Sequence, residues 1–133
     1  MNTPSSSNFA RGALALSGLI LLAVGLSVVR DPLAYQADLG VLLPDDPTLL
    51  SDLRAMGGSL LGFAVLLFAG ASSSRLGPSA ALAGAVLFSS YGLARVASMI
   101  VDGLPATALI GAAAIELVVG LTLGVLASRG VRS

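Results

Sequence analysis

Residues able to do chemistry are few in this chain, and most of them fall between Tyr91 and Glu116. Tyr91, Arg95, Ser98 and Asp102 recur at spacings of four, three and four, which on a helix places them along a single face. Glu116 follows in the next apolar stretch, after the break Asp102-Gly103-Leu104-Pro105-Ala106. Counted inward from Asp102 at about 1.5 Å per residue, Arg95 lies about 10 Å and Tyr91 about 16 Å from the break. Counted from Ala106, Glu116 lies about 15 Å in, level with Tyr91 if the two helices run antiparallel. An arginine and a carboxylate at matching depth can form an ion pair that fixes helix register. They can also line a cavity in which arginine holds a ligand and the carboxylate carries a proton. Both readings stay open on the residues alone.

What must position these residues is a set of apolar helices. The chain has 133 residues, of which 56% are apolar and 11% charged, and its mean hydropathy is +0.95. Soluble domains carry about 25% charged residues, so this composition marks an integral membrane protein. There are seven arginines and seven acids, and no lysine, histidine, cysteine or tryptophan. A thiol nucleophile, a disulfide, a histidine base and a Cys/His zinc site are therefore excluded. No phosphate-binding loop, metal-ligand pair or nucleophile elbow is visible, and no cofactor is expected. With a net charge of zero, nucleic-acid binding has no support.

The fold expected is all-α, an antiparallel four-helix membrane bundle with helices at about 10–29, 47–71, 79–101 and 106–128. Residues 1–8 read as a disordered tail, and 129–133 as a second, cytoplasmic one. The 18 uncharged residues from Gly12 to Val29 suffice to cross about 27 Å of hydrocarbon. Between the first two helices stands a loop of about 20 residues punctuated by Asp31-Pro32 and Asp46-Pro47, each an N-cap followed by a proline at the first helical position. The first pair predicts a short interfacial helix from Pro32 to Leu39, ended by Gly40, with Leu33, Tyr35 and Ala37 free to face the membrane. Leu39 and Val41 to Leu43 are too apolar for a floating loop and predict a partial lid over the helix ends.

Close helix packing is expected at small residues: Gly58 and Gly62 on the second spanning helix, Gly120 and Gly124 on the fourth. Arg54 shares the Gly58 face and is expected to look toward the polar cluster. Arg11, Arg75, Arg129 and Arg132 fall on the side holding both termini, while Asp31, Asp38, Asp45, Asp46, Asp52 and Asp102 fall on the other. The arginine bias predicts both termini in the cytoplasm.

Ser51-Asp52-Leu53-Arg54-Ala55-Met56-Gly57-Gly58, then Leu93-Ala94-Arg95-Val96-Ala97-Ser98 leading into Asp102-Gly103-Leu104-Pro105, then Glu116, resemble the small bacterial four-helix family called domain of unknown function 4345. The resemblance covers nearly the whole chain. It implies that Arg54, Arg95, Asp102 and Glu116 are a signature cluster, that the setting is a bacterial inner membrane, and nothing about a reaction.

Three functions follow. The leading one is a non-enzymatic module binding a lipid or small anionic ligand, or an accessory subunit, with the lipid bilayer as its constant partner and a homo-oligomer or larger complex as a further one. Its site is the polar cluster of Arg54, Tyr91, Arg95, Ser98, Asp102 and Glu116. The alternatives are a proton-coupled transporter or channel subunit, and a small enzyme acting on a lipid-soluble substrate.

Overall fold

The computed structural model describes residues 4–131, which form five helices and no strand. They are α1 (Pro4–Arg30), α2 (Pro32–Asp38), α3 (Pro47–Ser72), α4 (Gly77–Asp102) and α5 (Thr107–Val131). All but α2 are long and apolar enough to cross a membrane. Helix α1 starts inside the stretch expected to be a tail. Pro4 stands at its first position, where no intrahelical N–H bond is due. Helix α5 likewise continues past the expected end at Ser128 to Val131. Residues 1–3 of the N-terminal tail and Arg132, one of the four arginines used for orientation, lie outside the described residues.

The two Asp-Pro pairs act as the sequence predicts. The Asp31 carboxylate accepts from the Ala34 N–H at 3.0 Å, and Asp46 accepts from the Leu49 N–H at 2.9 Å. Each satisfies one of the orphan donors of a first turn. Helix α2 ends at Asp38, and Gly40, just past the cap residue Leu39, has a φ of +83° that suits a residue without a Cβ.

Helix α1 packs mainly on α3, and α4 mainly on α5, while α3 and α4 join the two pairs. Contacts run in opposite order along each pair: Gly18 meets Phe68 and Gly25 meets Leu61, while Gly84 meets Leu123 and Gly92 meets Leu117. Both pairs are therefore antiparallel. A single core cluster draws Leu14 and Leu21 from α1, Leu60 and Leu67 from α3, Phe88 from α4 and Leu123 from α5. Five of the six buried residues of α4 are alanine or glycine, so its axis approaches its neighbours closely.

The glycines that matter are not all the expected ones. A Cβ built on Gly25 would lie 3.0 Å from the Gly57 carbonyl oxygen, and one on Gly57 would lie 3.1 Å from that of Gly25. These two let the backbones of α1 and α3 meet. Gly58 and Gly62, by contrast, are exposed with nothing within 4 Å of a Cβ, which corrects the expectation that they pack within the chain. The buried face of α3 is Gly57, Leu60, Ala64, Leu67 and Gly70, and Gly58 lies about 100° round the helix from Gly57. On α5, Gly120 stands against the Ser89 backbone and Gly124 meets the Ala85 methyl at 3.8 Å.

Candidate functional site

Helices α4 and α5 bring two charged side chains together. Gly92 packs on Leu117 and Gly120 on Ser89, so Glu116 lies level with Leu93, between Tyr91 and Arg95. The arginine spans the remaining half turn. Its Nε donates to Glu116 Oε2 at 2.9 Å and to Oε1 at 3.2 Å. The side chains are 29% and 15% exposed, so the pair is half-buried rather than enclosed. Among the described residues, neither terminal nitrogen of Arg95 has a hydrogen-bond partner.

The pair forms part of the wall of a cavity of about 410 Å³. Most of the wall is aliphatic or aromatic: Ile20, Leu21, Val24 and Val28 from α1, Met56 and Leu60 from α3, Leu87 and Phe88 from α4, Leu109, Ala112 and Ile115 from α5. Its polar members are Tyr35, Gln36, Tyr91, Arg95 and Glu116. Burial raises the pKa of the Tyr35 phenol above its ordinary value; the Arg95 charge works against this, while Glu116 and Tyr91 add to it. Tyr35 therefore senses the same ion pair that the cavity exposes.

Helix α2 supplies the side of this cavity that the sequence reading assigned elsewhere. Tyr35, Gln36 and Leu39 line it, whereas Tyr35 was expected to face the membrane. The lid is therefore α2 with Leu39 at its end, and Leu42, expected within the lid, is 90% exposed. A fully buried Pro32 anchors the start of α2. The signal was present: residues 35, 36 and 39 share one face of a helix that starts at Pro32.

The six residues of the expected cluster do not converge. Tyr91, Arg95 and Glu116 meet at the cavity; Arg54, Ser98 and Asp102 do not line it. Arg54 is exposed, and its Nε donates at 3.2 Å to the Val29 carbonyl. That carbonyl belongs to the last turn of α1, where no intrahelical donor remains, so the arginine caps a helix end instead of facing the pair. Ser98 Oγ donates to Asp102 Oδ2 at 2.9 Å, a local contact between exposed residues one turn apart at the end of α4. Among the described residues no group of three or more His, Cys, Asp or Glu is placed to hold a metal ion.

The family model for a domain of unknown function (DUF4345) matches residues 9–127. The chain belongs to this family. The DUF4345 match takes in every residue of the cavity wall, from Ile20 to Glu116, so the site lies inside the domain. No curated protein and no solved structure matches the chain. The DUF4345 domain carries no assigned activity, and the chemistry has to be read from the cavity.

Proposed function

We propose that this chain spans a membrane four times and holds one small, largely apolar molecule in the cavity between its helices, without transforming it. The observation that carries the reading is the cavity itself: about 410 Å³ walled by aliphatic and aromatic side chains, with an ion pair and two phenols at its polar part. Binding sites for small molecules have this size and make-up, apolar walls with a few convergent polar groups. Support for the membrane comes from the outward faces. Leu16, Val65, Leu82, Val86, Val118 and Leu121 are each more than half exposed, one or more on every spanning helix, a distribution suited to lipid rather than water. Arg11, Arg75 and Arg129 mark the cytoplasmic side, and the cavity lies toward the acidic, outer side beneath α2.

Extraction of the purified protein followed by mass spectrometry tests the reading. One species should be enriched over the bulk lipid of the same membranes, and it should be lost in Ala112→Phe, which fills the cavity. An extract that mirrors bulk lipid in both proteins sinks it.

A further inference from the structure

The cavity's charge and unspent donors narrow what it can hold. Among the described residues Arg95 is the only cation in the wall and Glu116 the only anion, and they are paired. Arg30 and Arg54, the other arginines near this end, are both exposed and do not line the cavity, and Arg54 is tied to the Val29 carbonyl. A ligand carboxylate or phosphate would therefore leave the wall with a net negative charge in apolar surroundings, at a substantial desolvation cost. A neutral molecule adds no charge. Hydrogen-bond donors, however, are in surplus: both terminal nitrogens of Arg95 are without a partner among the described residues, and Tyr35, Tyr91 and Gln36 carry further donors to the same space. Such a wall calls for an acceptor. A volume of about 410 Å³ lies within the range of small-molecule sites and suits one short chain or one ring system.

Resting on the binding role proposed above, we infer that the ligand is a net-neutral, carbonyl-bearing apolar molecule whose oxygen accepts from Arg95, and that Glu116 sets this preference by neutralising Arg95 against anions. Glu116 is thus a specificity-determining residue, acting through Arg95.

Two probes of matched size, 2-undecanone and decanoate, separate the cases when titrated into protein in lipid nanodiscs at a pH of about 8, where the carboxylate is ionised. Empty nanodiscs correct for partitioning into lipid. The native protein should bind the ketone about tenfold more tightly than the acid. Glu116→Gln leaves Arg95 charged and unpaired, and the order should reverse. Should that variant fail to fold, Arg95→Leu with Glu116→Leu removes both charges and the Arg95 donors together. The ketone should then bind about tenfold more weakly than to the native protein, while the acid stays excluded, its charge still unpaired in an apolar wall. An unchanged ketone affinity overturns the inference. Saturable binding of decanoate by the native protein as tightly as the ketone overturns the inference and leaves the cavity's binding role intact. Failure of both probes to bind saturably overturns both.

Discussion

Arg95 and Glu116 sit on different helices, and each neutralises a charge that would otherwise stand alone in an apolar wall. Truncating one leaves the other unpaired, whereas replacing both removes the problem. Arg95→Leu or Glu116→Leu alone should therefore destabilise by about 2 kcal/mol, less than for a fully enclosed pair because both side chains retain some exposure. The double variant should recover most of this, as reversible unfolding in detergent would reveal; a double variant as unstable as the summed singles would deny the coupling. Tyr35 offers a second measurement at this scale. Its phenol ionises above its ordinary value, so folded and unfolded chains are both neutral there at low pH, and its contribution to stability is fully present. As pH rises past about 10 the unfolded chain ionises first, and the contribution is lost through the folded value. A pH series of melting temperatures should fall in that alkaline window, and more gently in Tyr35→Phe.

Helices differ in what holds them. Helix α2 has only seven residues and depends on its cap and its anchor, Asp31 and Pro32. Asp31→Ala should cost about 1 kcal/mol, expressed locally as faster amide exchange from Tyr35 to Leu39, with α3 and α5 unaffected. Helix α5 depends on close approach instead. A Cβ on Gly120 would lie 2.8 Å from the Ser89 backbone nitrogen, so Gly120→Ala should separate α4 from α5 at a cost of about 1–3 kcal/mol. Gly62→Ala meets nothing within 4 Å and should be neutral or slightly stabilising by melting temperature. Equal losses from the two alanines would show that the exposed glycine has a partner of its own. From the sequence these glycines looked alike, because spacing along one helix reports which residues share a face and is silent on which face meets a neighbour.

At the scale of the whole molecule, the absence of cysteine makes topology directly measurable, since each introduced thiol is the sole one present. Ser74→Cys and Ser128→Cys should react with a membrane-impermeant reagent from the cytoplasmic side, and Asp45→Cys only from the outer side. Labelling of Ser74→Cys and Asp45→Cys from the same side would remove the four-span arrangement. The sequence by itself determined the helical class, four apolar stretches of spanning length and the capped short helix, because hydropathy, Asp-Pro caps and glycine stops are local properties of the chain. It also marked Tyr91, Arg95 and Glu116 through their depth. Only the tertiary structure decided which polar residues meet. Arg54 was drawn to the Val29 carbonyl at the end of α1, and Tyr35 and Gln36 turned inward over the ion pair. Those outcomes depend on how α1, α2 and α3 rotate and slide against one another, a relation between faces on different helices that the order of residues along any one of them does not contain.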